Sequence, residues 1–244
     1  MTDIKNKLKK LCLTWMVENL DHELAEAARL NRAPEEVLQR LLEGETEARG
    51  ARAVQRRLKA ARLPGVKTLD GFDWSWPEEI NRDHIRHLFT LAFMRDAANV
   101  IFIGGVGIGK THLAAALARE VCLHNMPVLF TSAVHIINDL ADAQRQGMLK
   151  RAMKKYVKPA MLVIDELGYL PVDRIGAELI FQVLSERYEK ASTVITTNRV
   201  YKHWAKTFDN DATLASAVLD RVMHHSETVV IKGESYRQKD IIDR

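Results

Sequence analysis

One short run constrains this chain more than anything else in it: Gly104-Gly105-Val106-Gly107-Ile108-Gly109-Lys110-Thr111. A β-branched and aromatic run, Val100–Ile103, precedes it, and Leu113, Leu117 and Val121 follow it at helical spacing. The pattern G-x-x-x-x-G-K-[ST] between a strand and a helix is a phosphate-binding loop. Its glycines let backbone N–H groups approach phosphate oxygens with no Cβ in the way. The helix behind the loop points its positive N-terminal end at the anion. Lys110 supplies a charge for the β- and γ-phosphates, and Thr111 supplies a hydroxyl for Mg2+. His112, next along the helix, is grouped with the nucleotide-contacting residues.

The texture around this loop sets the expected fold. From residue 99 onward, Val100–Ile103, Val128–Thr131, Met161–Ile164, Val194–Thr197 and Val229–Ile231 alternate with amphipathic helical stretches. Strands separated by helices read as a parallel sheet covered on both faces. Residues 1–63 hold no convincing strand. Ile4, Leu8, Leu11 and Trp15 recur at helical spacing. Pro34 can open a helix, with Glu35 and Glu36 suiting its dipole, and Gly44 and Gly50 are expected to weaken or bend that helix. Leu63-Pro64-Gly65 is a strong breaker. The fold class is therefore α/β, preceded by a small all-helical domain. The expected parts are a helical N-terminal domain over 1–65, a linker over 66–95 and a core over 96–244.

Two further positions fit phosphate chemistry. The run Met161–Ile164 ends in Asp165-Glu166, where a parallel strand delivers its carboxyl end to the ligand crevice. Asp165 is placed to hold Mg2+, and Glu166 to orient or deprotonate an attacking water. A base beside the metal ligand argues for hydrolysis. The run Val194–Thr197 ends in Asn198, which reads either as an amide positioning the lytic water or the γ-phosphate, or as a turn residue at a strand end.

Composition excludes other classes. With 47% hydrophobic residues in 244, the chain can bury a sizeable core, so disorder is not its main state. The longest apolar stretch, Ala97–Gly109, holds four glycines and is too short to span a bilayer. The N-terminus lacks an apolar signal region, and Cys12 and Cys122 are far apart, so a reducing cytoplasm is expected. The net charge is only +4, yet it hides two basic tracts. Arg49–Lys67 carries seven basic residues and no acid. On a helix Arg49, Arg52, Arg56 and Lys59 share one face, with Val54, Leu58 and Ala61 opposite. A second acid-free cluster holds Arg145, Lys150, Arg151, Lys154, Lys155 and Lys158. Two such tracts point to salt-sensitive binding of nucleic acid backbone. Trp74 and Trp76 read either as stacking partners for a base or as anchors of the linker. The nine histidines show no metal-ligand spacing, and His84/His87 and His224-His225 read as packing or surface residues.

Together these residues resemble the AAA+ ATPases, and within them the IstB/DnaC group, with the IstB-type helpers of insertion-sequence transposases the nearest match. The supporting stretches are Arg56-Arg57-Leu58-Lys59-Ala60-Ala61-Arg62-Leu63-Pro64, Lys67-Thr68-Leu69-Asp70-Gly71-Phe72-Asp73, Val163-Ile164-Asp165-Glu166-Leu167-Gly168, Thr196-Thr197-Asn198 and Leu219-Asp220-Arg221-Val222 with His224-His225-Ser226. The resemblance implies ATP and Mg2+ as cofactors, ATP held between copies of the chain, duplex DNA and a transposase as partners, and no membrane. It implies a trans-acting role for Arg221 on a neighbour's γ-phosphate. Arg237 matches a second arginine near the nucleotide. Only seven residues follow Arg237, so no full helical lid is expected, and Arg237 stays open between that role and a structural or DNA-contacting one. A DnaC-type helicase loader and a DNA scaffold that binds ATP without significant hydrolysis remain as alternatives.

Overall fold

The structure, a computed structural model, describes residues 2–170, 172–208 and 211–236. It divides into two compact units, Met1–Arg56 and Arg57–Arg244. The expected boundary at residue 65 lies inside the second unit.

The first unit is helical, built from α1 (Thr2–Lys10), α2 (Thr14–Leu30) and α3 (Pro34–Ala60), whose last turn belongs to the second unit. The stripe Ile4, Leu8, Leu11, Trp15 is split between two helices. The chain turns at residues 11–13, where Cys12 takes a left-handed φ of 57°. Leu8, Leu13 and Trp15 then pack on Met16, Leu20 and Leu41, while Ile4 and Leu11 stay exposed. α3 opens at Pro34 and runs unbroken through Gly44 and Gly50. A Cβ at Gly44 would overlap the Trp15 ring, so this glycine makes room for an indole rather than a bend.

Glu45 is buried in this unit. Its carboxylate accepts from the Met16 N–H at 3.1 Å, Arg49 Nε at 3.2 Å and Arg52 Nη2 at 2.8 Å. Burial alone would raise its pKa; the hydrogen bonds outweigh burial and hold the carboxyl below the usual range. Arg49 also donates to the Cys12 carbonyl at 3.0 Å.

The second unit contains α4 (Arg82–Leu88), a 3₁₀ turn (Ala92–Asp96), β1 (Asn99–Gly104), α5 (Lys110–Leu123), β2 (Val128–Ser132), α6 (Ala133–Arg145), α7 (Leu149–Val157), β3 (Met161–Asp165), α8 (Arg174–Arg187), β4 (Ser192–Thr197), a second 3₁₀ turn (Tyr201–Lys206), α9 (Ala212–Met223) and β5 (Ser226–Ile231). The five strands form one parallel sheet in the order β2-β3-β4-β1-β5. Successive side chains of a strand point to opposite faces. Val100, Phe102, Met161, Val163 and Val194 accordingly pack with Leu113, Leu117 and Val121 of α5. Ile101, Ile103, Leu162, Ile164 and Ile195 pack with α6, α8 and α9. Helices thus cover both faces, and every apolar run named above lies in a strand. β5 begins three residues before its run, because Ser226, Glu227 and Thr228 continue the ladder against Asn99–Ile101 at a sheet edge that needs no continuous apolar sequence.

Residues 57–65 pack on this core. Ala61 is fully buried, Leu58 and Leu63 lie against it, and the Ala61 carbonyl accepts from the Phe130 N–H at 2.8 Å. Arg187 is buried at the end of α8, and burial pushes its pKa down to about 10. It donates to the carbonyls of Tyr156, Val157, Pro159 and Ser192 and to Thr193 Oγ1. Among the described residues no helix is long and apolar enough to cross a membrane.

Candidate functional site

All five strands are parallel, so their carboxyl ends share one edge, and the sequence-predicted site residues gather there. β1 ends at Gly104; the chain wraps through Gly105, Val106, Gly107 and Ile108 before α5 starts at Lys110. Gly107 and Gly109 hold φ values of 78° and 95°, a region that side chains disfavour. Space forbids a side chain as well. A Cβ at Gly107 would collide with Ser235, and one at Gly109 would lie 2.6 Å from the Phe72 ring. The Lys110 ammonium folds back over the loop and donates to the Gly105 carbonyl at 2.5 Å.

The acidic pair sits across from the loop. Thr111 Oγ1 donates to Asp165 Oδ1 at 3.0 Å, and Thr196 Oγ1 donates to the same oxygen at 2.5 Å. Thr196 Oγ1 in turn accepts from the Glu166 N–H at 2.9 Å, and its carbonyl from the Leu167 N–H at 2.9 Å. These bonds hold Glu166 at φ 60°, a left-handed backbone that costs a non-glycine residue about 1–2 kcal/mol. The turn ends β3 and leaves Glu166 exposed while Asp165 stays buried. β4 lies between β3 and β1, which carries Asn198 to the same place. A cleft of about 80 Å³ is lined by Lys110, Thr111, Glu166, Thr196, Thr197 and Asn198.

A larger pocket of about 460 Å³ opens on the other side of the loop, lined by Gly107–Thr111, His112, Pro64, Lys67, Phe72, Trp76 and Tyr236. The linker reaches it because Glu79 and Lys232 exchange both backbone hydrogen bonds, at 3.3 and 3.0 Å. The two tryptophans part company here. Trp76 lines the pocket edge-on to Tyr236, with centroids 5.6 Å apart, and its Nε1 donates to the Glu234 carbonyl at 3.0 Å. Trp74 packs on Phe72 at 5.0 Å under the Arg82 guanidinium, as an anchor. His112 donates from Nε2 to the Thr68 carbonyl at 2.9 Å, which ties α5 to the linker.

Other candidates lie elsewhere. Neither space is lined by Arg221. Its guanidinium stacks on Phe181 of α8, 4.6 Å from the ring centroid, and donates to the Ala217 carbonyl. Arg237 is outside the described residues. Arg49 and Arg52 turn to Glu45, while Arg56 and Lys59 are exposed. In the second tract Arg145 pairs with Asp142 and Lys155 with Asp139; Lys150, Arg151, Lys154 and Lys158 are exposed, with no acid partner among the described residues. Sequence reasoning missed Thr196, which joins Asp165 to Glu166, and Phe72 and Tyr236, which wall the pocket. The signal for Thr196 was a hydroxyl at the end of a fully buried strand.

The chain is 41% identical to an insertion sequence IS21 ATP-binding protein of Pseudomonas aeruginosa over 235 residues, covering 96% of this chain and 87% of the other. It is 36% identical to an insertion sequence IS5376 ATP-binding protein of Geobacillus stearothermophilus, covering 97% and 96%. Among solved structures, the DnaC helicase loader matches with a TM-score of 0.56 at 22% identity, covering 68% of this chain and 96% of that one. A DNA replication initiation factor matches with a TM-score of 0.57 at 21% identity, covering 75% and 54%, so this chain spans about half of it. These structural likenesses are likenesses of fold: the core shares its architecture with the helicase loader and the initiation factor. The profile of the IstB-like ATP binding protein family matches residues 6–243, and the chain belongs to that family.

Proposed function

We propose that this member of an ATP-binding family hydrolyses ATP, assembles with further copies of itself on duplex DNA in the ATP-bound state, and assists the transposase of an insertion sequence in choosing its target. The observation that supports hydrolysis best is the single cleft that gathers Lys110, Thr111, Glu166 and Asn198. Backbone N–H groups of the loop and the start of α5 bind the phosphates, and Lys110 neutralises them. The Thr111 hydroxyl and the Asp165 carboxylate are hard oxygen donors 3.0 Å apart, a donor set that fits Mg2+. When bound there, Mg2+ offsets charge on the phosphate oxygens. Glu166 accepts the proton of a water whose oxygen attacks the γ-phosphorus; the bond to the β-bridging oxygen breaks, giving ADP and phosphate. Asn198 orients that water or a γ-oxygen. The pocket beside Trp76 and Tyr236 receives the base.

Arg221 lines neither space of its own chain, and in an assembly it would complete a neighbour's site. The exposed cations of α7, with Arg56 and Lys59, would contact DNA phosphates without reading sequence. The insertion-sequence names of the relatives favour a transposase as partner over a helicase, since the likeness to the helicase loader is one of fold.

Glu166→Gln is expected to bind ATP and DNA yet release no phosphate, whereas Lys110→Ala loses nucleotide binding and with it ATP-dependent assembly. Phosphate release, nucleotide titration and sedimentation on duplex DNA measure the three. Wild-type turnover in Glu166→Gln sinks the hydrolytic assignment, and unchanged assembly in Lys110→Ala sinks the ATP-gated one.

A further inference from the structure

The fold gives His224 and His225 a companion that their sequence context hides. α9 ends at Met223 and β5 begins at Ser226, so the two histidines form the turn between them. Glu189 follows the end of α8, far away in sequence. In space His224 Nδ1 and His225 Nε2 each lie 3.7 Å from one and the same oxygen, Glu189 Oε1. The three donor atoms are all within 4.8 Å of one another. Two ligands about 2.0–2.1 Å from a tetrahedral Zn2+ stand about 3.4 Å apart, so each imidazole needs to approach the Glu189 oxygen by only tenths of an ångström, and a rotation of the two exposed rings closes the gap between them. We propose that Glu189, His224 and His225 form a binding site for a divalent transition cation of the Zn2+ class, at the amino edge of the sheet, opposite the nucleotide cleft.

Both donor segments are held before any ligand arrives. The Asn99 N–H donates to the His225 carbonyl at 2.7 Å, and Asn99 Nδ2 to the Val222 carbonyl at 3.0 Å. The N–H groups of Lys190 and Ala191 donate to the Arg187 carbonyl at 3.0 and 3.1 Å, closing the turn in which Glu189 takes a φ of 55°. Binding therefore orders side chains and little backbone, which favours affinity. Two imidazole nitrogens and one carboxylate oxygen select Zn2+, Ni2+ or Cu2+ over Mg2+ or Ca2+. All three residues are exposed, so water completes the coordination. The Tyr188 hydroxyl, 2.8 Å from His224 Nδ1, competes with the cation for that nitrogen. Occupancy ties the end of α8 to the end of α9, the helix that carries Arg221.

The test is calorimetric titration of the untagged, chelator-stripped full chain with ZnCl2 near neutral pH, with Co2+ absorption as a second readout. The expected result is one Zn2+ per chain, no saturable uptake of MgCl2 at this site, and a tetrahedral-type Co2+ spectrum. His225→Ala and Glu189→Gln each lose that uptake while keeping ATP binding, and Tyr188→Phe binds Zn2+ several-fold more tightly. Absence of one-to-one uptake by the wild-type chain, or uptake unchanged in a variant lacking all three donors, overturns the proposal. Neither result touches the ATPase reading, which rests on the opposite edge of the sheet.

Discussion

In the C-terminal half of α3, Arg49 and Arg52 fold onto the buried carboxylate of Glu45; on α7 and at its C-terminal cap, Lys150, Arg151, Lys154 and Lys158 meet no acid among the described residues. The two tracts look alike as sequence, acid-free and dense in cations. Their charge has different work. Two arginines of the first tract neutralise a group that burial would otherwise make unfavourable, and much of their charge is cancelled locally. The second tract also pairs two cations, Arg145 with Asp142 and Lys155 with Asp139, but those acids are open to solvent and do not depend on the pairing as Glu45 does, and Arg187 holds the end of the helix. Counting cations in a window therefore overstates what the first tract offers to a polyanion.

Three experiments test this contrast. Replacing Lys150, Arg151, Lys154 and Lys158 together by Glu is expected to weaken duplex DNA binding by more than about a hundredfold and to lower the salt slope by about 3–4, with ATP binding kept; filter or anisotropy titrations across salt concentrations read both. Glu45→Ala is expected to destabilise the N-terminal unit by about 2 kcal/mol in denaturant titration, through the orphaned Met16 N–H and the lost arginine bonds, while leaving the DNA salt slope nearly unchanged. A large fall in that slope on replacing Arg49 and Arg52 themselves by Ala would mean that they are DNA ligands after all. The smallest effect is in acid. The Tyr156 hydroxyl and Lys155 hold the Asp139 carboxyl below its usual range, as the partners of Glu45 do there. A carboxylate with a lowered folded-state pKa contributes stability that is complete above its unfolded value and is lost as pH falls through the folded one. Stability should decline on acidification below the ordinary carboxylate range, and Asp139→Asn should flatten that decline.

Much of this was legible in the sequence because it is local. A strand, a glycine loop and a helix in succession can be read from one window, and a buried parallel strand advertises itself as a continuous apolar run. That gave the five strands, the phosphate loop and Asp165-Glu166. What stayed hidden depends on partners from distant elements. Thr196 reads as a common strand residue until β4 is inserted between β3 and β1. Glu45 stands one turn before Arg49, just outside the acid-free window, and i,i+4 spacing was the available clue. Leu11 completes a helical stripe on paper, but the chain turns there. Glu189 meets His224 and His225 only after α8 and α9 are packed together.

Arg187 leaves one further mark on α7. The carbonyls at a helix C-terminus carry partial negative charge, and lysines of the last turn commonly fold back to satisfy them. Here a guanidinium from the protein interior takes the Tyr156 and Val157 carbonyls, and that of Pro159 just beyond. Lys154 and Lys158 are thereby excused from capping their own helix. The cation inside the protein is what lets the cations outside it face the solvent undiminished, ready for a negatively charged surface that arrives from there.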